Sequence, residues 1–191
     1  MRREIRITGF GGQGVILSGY ILGKAAAVYD AKSATMVQSY GPEARGSACA
    51  AQVVVADEKI HDPYVRRQEI LAALSQEGYD NFLGKIEKGG VLLYDSDLVD
   101  PGEIPDHLGL VASVPATRTA EEMGRRMAAN IVMLGFLTGC TGIVSPEAML
   151  KAVRSSVPKG TEEFNASALD RGLAYAAEAI KAGKPATEKA T

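Results

Sequence analysis

Residues 9–14 read Gly9-Phe10-Gly11-Gly12-Gln13-Gly14, directly after a short strand pattern and directly before a helical one. This G-x-G-x-x-G turn constrains the chain more than any other feature. Glycines let the backbone turn tightly at the end of a strand. The following helix then aims its free N–H groups and positive dipole end at whatever lies above the turn. The pattern therefore predicts an α/β unit with an anion-ready corner, but it names no anion. The alternative is that Gly9, Gly11 and Gly14 serve close strand–helix packing with no ligand.

The rest of the chain extends that unit. Glu4-Ile5-Arg6-Ile7-Thr8 alternates as a strand, and apolar residues recur at helical spacing from Val15 to Tyr29. Thr35–Gln38 reads as a second strand, with an irregular stretch from Ser39 to Ser47 after it. Gln52–Ala56 is a strand that follows without an intervening helix, so it is expected to pair antiparallel. Ile70–Leu74 fits a buried central strand. Residues 78–88 read as a helix closed by Gly89-Gly90, with a strand at Val91–Tyr94. Leu110–Val114 adds another strand. Thr119-Ala120-Glu121-Glu122 has a capping-box pattern and is expected to start a helix. Asn130–Leu137 reads as a buried helix, Ser145-Pro146-Glu147 as the start of the next, and Asn165–Lys181 as the last.

This order predicts a Rossmann-like α/β fold. Its sheet is mostly parallel with one antiparallel strand, helices cover both faces, and the C-terminal part is helical. Residues 1–182 are expected to form a single domain and 183–191 a flexible tail. The apolar fraction of 46% is enough for a real core in 191 residues. The most apolar run, Ala128–Leu137, is far shorter than the roughly 18 residues of a membrane span. The first residues enter a strand with no secretory leader pattern, so a cytoplasmic protein without membrane contact is expected. The formal charge of −2 and the lack of a basic cluster argue against nucleic acid.

The chain is poor in acid–base and nucleophilic groups. His61 and His107 are its two histidines, and both lie in loop patterns. Cys49 and Cys140 are isolated and read as buried small hydrophobes rather than metal ligands. Asp95-Ser96-Asp97 follows a strand and reads as a cap or turn. Asn130, within an apolar run, needs a hydrogen-bond partner. A P-loop is excluded, because no Lys-Ser or Lys-Thr follows the glycines. A dinucleotide site would need an acid at the end of the second strand. Asp30 precedes that strand, and the strand ends at Gln38-Ser39-Tyr40.

A second constellation is Ser39-Tyr40-Gly41-Pro42-Glu43-Ala44-Arg45-Gly46. It should project from the same end of the sheet as the glycine turn. Arg45 offers a fixed cation able to fork onto a phosphate or carboxylate; pairing with Glu43 or a neighbouring chain is the alternative. The Gly9–Val15 and Ser39–Gly46 motifs together resemble the γ subunit of 2-oxoacid:ferredoxin oxidoreductases. Asn130–Gly135 and the segment from Asn165 to Gly172 extend the resemblance over nearly the whole chain. Two departures are Ser47, where many relatives have Gly, and Glu69, where an Asp often stands.

The resemblance implies a subunit rather than a complete enzyme. The family decarboxylates a 2-oxoacid on thiamine diphosphate with Mg, moves electrons through [4Fe–4S] clusters to ferredoxin, and forms an acyl-coenzyme A. This chain has neither a cysteine array nor a Gly-Asp-Gly…Asn thiamine signature. Those cofactors are expected on α, β and ferredoxin-like δ partner subunits, with no catalytic and no metal-binding residue here. The implied ligand is coenzyme A. Its expected contacts are Gly9, Gly11, Gly12, Gln13, Gly14, Ser39, Tyr40, Arg45 and Gly46. The second motif leans toward 2-oxoglutarate over pyruvate. A stand-alone NAD(P)-dependent dehydrogenase and a purely structural assembly subunit are the competing readings. Partner-facing apolar patches would let the isolated chain dimerise.

Overall fold

The computed structural model describes residues 1–40 and 48–181. Gly41–Ser47 and the expected tail at 183–191 lie outside the described residues, and with them Arg45 and Gly46. The elements run β1 (Arg2–Phe10), α1 (Val15–Lys24), β2 (Ser33–Tyr40), β3 (Ala48–Ala56), β4 (Gln68–Ala73), α2 (Gln76–Phe82), β5 (Ile86–Asp95), β6 (Leu110–Val114), α3 (Ala116–Glu122), α4 (Ala129–Thr141), α5 (Pro146–Arg154) and α6 (Glu162–Lys181). One turn of π-helix, Ala25–Tyr29, extends α1.

Six strands form one sheet in the order β2-β3-β1-β4-β5-β6. β1, β4, β5 and β6 are parallel neighbours. β3 runs antiparallel to both β1 and β2, as its short connection to β2 predicts. Alternation sorts the side chains to two faces. Ile5, Ile7, Ile70, Ala72, Val53 and Val55 join α1 and α3–α6 in the larger core. Leu71, Ala73 and Leu92 join Tyr79 of α2 in a smaller one on the opposite face.

α4 is buried along Asn130–Thr138 because α6 lies directly on it. Gly135 and Gly172 make that contact possible. A Cβ on Gly172 would come within 2.0 Å of the Val132 carbonyl, and one on Gly135 within 2.2 Å of the Leu169 carbonyl.

Two expected boundaries differ. Gly89-Gly90 does not close a helix. α2 ends at Phe82, a 3₁₀ turn spans Leu83–Lys85, and both glycines lie inside β5. Gly89 has φ 77°, and the β4–β5 register shifts between Gln68 and Ile70, so the glycines form an irregular bulge. Gly109 packs against Gly89, and its N–H donates to the Gly90 carbonyl at 2.9 Å. Thr119–Glu122 does not start a helix either. It ends α3, which begins after Pro115 because Asp95 captures its first turn. The Asp95 carboxylate accepts from Thr117 N at 3.0 Å and Thr117 Oγ1 at 2.6 Å. The Ser145 cap forms as expected: its hydroxyl accepts from Ala148 N, with Pro146 in the first turn.

Candidate functional site

β1 and β4 are adjacent and parallel, but the helices that follow them pack on opposite faces of the sheet. Such a switch point leaves a crevice beyond the carboxyl ends of the two strands. The glycine turn lies there. Gln13 N donates to the Phe10 carbonyl at 3.1 Å, closing a four-residue turn. Gly12 supplies φ 96° at its third position, the conformation that excludes most side chains.

Gln13 fastens the turn to the sheet. Its Oε1 accepts from Phe10 N at 2.6 Å, and its Nε2 donates to the Leu74 carbonyl at 2.9 Å. One side-chain amide thus bridges the crevice from β1 to the end of β4. Gly9 must be glycine for this to happen, since a Cβ there would lie 2.5 Å from Gln13 Oε1.

Gly14 is the N-cap of α1, with φ 75°. No side chain caps this end, and no acid lies in the first turn. The opening N–H groups and the positive end of the helix are therefore available to an anion. On its other side Gly14 touches α4. Asn130 Nδ2 donates to the Gly14 carbonyl at 3.3 Å, and a Cβ on Gly14 would lie 2.4 Å from that nitrogen.

A cleft of about 430 Å³ opens beside the turn. Gly12, Gly14 and Leu17 form one wall, Arg125–Ala128 and Asn130 a second, and Val157, Pro158, Phe164 and Asn165 a third. An adjoining cavity of about 150 Å³ runs toward Gln13, Leu74 and Thr117. Met127 is 81% exposed at the rim. The Arg125 guanidinium lies 5.2 Å from the Phe164 ring centre, and Arg126 pairs at 3.5 Å with Glu121 in an exposed, weak contact. This mixture of apolar walls, two guanidiniums and open backbone N–H groups suits a ligand with an apolar part and an anionic part. A mixed-charge cavity at the opposite end of the sheet is crossed by Arg3–Glu69 at 3.1 Å and Arg67–Glu87 at 3.8 Å. Its charges largely satisfy one another.

The structure brings Gly9, Gly11, Gly12, Gln13 and Gly14 together in the turn. Ser39 is exposed near the end of β2, and Tyr40 and Gly9 both register with Cys49 of β3. Ser39 and Tyr40 therefore lie at the same end of the sheet as the turn, two strand spacings or ~10 Å away. The Arg125–Met127 corner, Phe164 and the cleft wall at Val157–Pro158 were not legible as site residues. They come from separate segments, and a Gly-Arg-Arg-Met run is no motif by itself.

Other polar groups are structural. Asp30 accepts from Ser145 Oγ at 2.6 Å and so helps cap α5. Asp95 is fully buried, and that burial raises its pKa above the ordinary carboxylate value. His61 and His107 are exposed, with the His107 ring 3.1 Å from the Ile86 carbonyl. Cys49 and Cys140 are free, and burial pushes the Cys140 thiol up to about 11, away from reactivity. Among the described residues no group of three or more His, Cys, Asp or Glu side chains could hold a metal ion. Nor is any described helix long and apolar enough to cross a membrane.

Comparison with known proteins decides the family. Residues 4–175 match the model of pyruvate ferredoxin/flavodoxin oxidoreductase. The chain belongs to this family. It is 52% identical over 179 residues to the 2-oxoglutarate synthase subunit KorC of Methanocaldococcus jannaschii, covering 93% of this chain and 96% of that one. It also superposes on the γ subunit of a keto/oxoacid ferredoxin oxidoreductase from Geobacter sulfurreducens, with TM-score 0.83 and 40% identity, over 94% of this chain and 98% of that one. A 2-oxoglutarate:ferredoxin oxidoreductase from Magnetococcus marinus, solved with 2-oxoglutarate, coenzyme A and succinyl-CoA, matches with TM-score 0.85 and 26% identity. There the match covers 96% of this chain but 32% of the other, so this fold forms one part of a longer polypeptide. As a family member with full-length γ-type relatives, the chain is a subunit of a 2-oxoacid:ferredoxin oxidoreductase.

Proposed function

We propose that this chain is the γ subunit of a 2-oxoglutarate:ferredoxin oxidoreductase and carries the coenzyme A side of its site. The complex oxidatively decarboxylates the 2-oxoacid to an acyl-coenzyme A and passes electrons to ferredoxin. 2-Oxoglutarate is favoured by the identity to KorC proteins, 52% and 49% in two methanogens, against 32% for a pyruvate synthase subunit PorC. Thiamine diphosphate, Mg and [4Fe–4S] clusters belong on α, β and δ partners in this scheme, and the isolated chain is inactive. Residues 1–182 act as one domain built on the single sheet, and the complex works in the cytoplasm.

The observation that carries the coenzyme A assignment is the uncapped start of α1 at Gly14, opening on the cleft at the switch point. A pyrophosphate fits such a helix end physically. The neighbouring cleft offers an apolar wall for the rest of the molecule, with Arg125 and Arg126 at its rim. Gly9, Gly11, Gly12, Gln13 and Gly14 would shape the contact. Ser39, Tyr40, Arg45 and Gly46 are proposed to complete it from the end of β2, two strands away. A stand-alone dehydrogenase is disfavoured, because Asp30 is engaged with Ser145 and precedes β2.

The assignment is tested by reconstituting the complex with and without this chain and following ferredoxin reduction by 2-oxoglutarate. Activity dependent on the chain, on coenzyme A and on 2-oxoglutarate is expected. Equal activity without the chain, or a clear preference for pyruvate, would overturn the respective part. In the same assay Arg45→Ala should raise the KM for coenzyme A.

A further inference from the structure

Asn130 is 3% exposed in the first turn of α4, among apolar neighbours. Its Nδ2 donates to the Gly14 carbonyl at 3.3 Å. A carbonyl can only accept, so this contact fixes which end of the amide faces Gly14 and turns Oδ1 the other way. Oδ1 has no hydrogen-bond partner among the described residues, yet no described buried side-chain oxygen or nitrogen is both sealed from solvent and unpaired. The oxygen therefore keeps some exposure, and Asn130 is itself one of the residues that line the cleft.

A carbonyl oxygen held in this way is costly to leave without a donor once a ligand expels the water from the cleft. We infer that Asn130 is a specificity-determining residue that presents Oδ1 to an N–H donor of the ligand bound in this cleft. The inference rests on the coenzyme A reading and deepens it. Coenzyme A carries such donors in two places, the adenine amino group and the two amides of the pantetheine arm. Inorganic phosphates carry none. Asn130 thus distinguishes the organic part of the ligand, whereas the α1 terminus meets its anionic part.

Both roles of Asn130, anchoring Gly14 and reading the ligand, are separable in one titration series on the assembled complex. The probes are coenzyme A, its 1,N6-etheno derivative, adenosine 3′,5′-bisphosphate and inorganic pyrophosphate. Asn130→Ala should weaken coenzyme A at least tenfold and change pyrophosphate less than twofold. Equal weakening of both would reduce Asn130 to a support for the glycine turn and overturn the inference, as would unchanged coenzyme A affinity. Weaker binding of the etheno derivative to the wild type assigns the contact to the adenine amino group. A loss on Asn130→Ala that is seen with coenzyme A but not with the bisphosphate assigns it to the pantetheine amides. If Asn130→Ala does not fold, Asn130→Ser is measured in its place, with the same expected and overturning results. If wild-type complex binds pyrophosphate but not coenzyme A, the coenzyme A reading itself falls and this inference with it.

Discussion

Gln13 Nε2 donates to the Leu74 carbonyl at 2.9 Å, tying the glycine turn after β1 to the end of β4 across the switch-point crevice. The same amide receives Phe10 N through Oε1 at 2.6 Å. A single side chain thereby sets the shape of the turn and its distance from the neighbouring strand. The glycine turn of this chain is therefore a braced corner rather than a free loop.

Gln13→Ala removes both bonds. The expected loss is about 2 kcal/mol, at about 1 kcal/mol for each hydrogen bond. Gln13→Glu should lose more than the alanine variant at neutral pH, because a carboxylate oxygen would face the Leu74 carbonyl. Urea denaturation of the three proteins measures this order.

Gly12 and Gly14 should tolerate alanine differently. Both have positive φ, which costs a non-glycine residue about 1–2 kcal/mol. An added Cβ at Gly12 meets nothing within 4 Å, whereas at Gly14 it meets Asn130 Nδ2 at 2.4 Å. Gly14→Ala should therefore cost about 1–3 kcal/mol more than Gly12→Ala, the usual price of overpacking. Equal losses would show that Asn130 yields freely.

Gly172→Ala should be more damaging still. The new Cβ would meet backbone of α4, at the Val132 carbonyl and Phe136 N, and backbone cannot rotate away. Separation of α4 from α6 is expected, read as a melting temperature lowered by roughly 6 °C or more for a loss of about 3 kcal/mol.

Asp95 predicts a pH signature. Burial is the main cause of its raised pKa, with the bonds from Thr117 and Asp97 N opposing it. The folded chain thus holds this proton at pH values where the unfolded chain has released it. Stability from this group is greatest below the ordinary carboxylate pKa and falls as pH rises through the folded value. Wild-type stability minus that of Asp95→Asn should decline with pH over that window and then level off. A rising difference would contradict the assignment.

These contrasts also show what the sequence made legible. The glycine turn, the antiparallel β3 and the Ser145-Pro146 cap were readable because each depends on neighbours in the chain. Gly89-Gly90 misled because the same dipeptide serves a helix stop or a strand bulge, and the choice was made by Gly109 and the β4 register. Thr119–Glu122 misled because Asp95, over twenty residues upstream, starts α3 earlier through Thr117. Asn130 was recognisable as a polar residue needing a partner, but not that its partner was Gly14. The cleft was hidden for the same reason, since its walls come from α1, the α3–α4 corner and the start of α6.

Whether the braced glycine turn serves coenzyme A is decided by steady-state kinetics of the assembled complex carrying Gln13→Ala, with coenzyme A and the 2-oxoacid varied separately. The KM for coenzyme A should rise about tenfold or more, with the KM for the 2-oxoacid unchanged and the complex intact by sedimentation. An unchanged KM for coenzyme A in an intact complex would contradict that role and leave the glycine turn a purely structural brace.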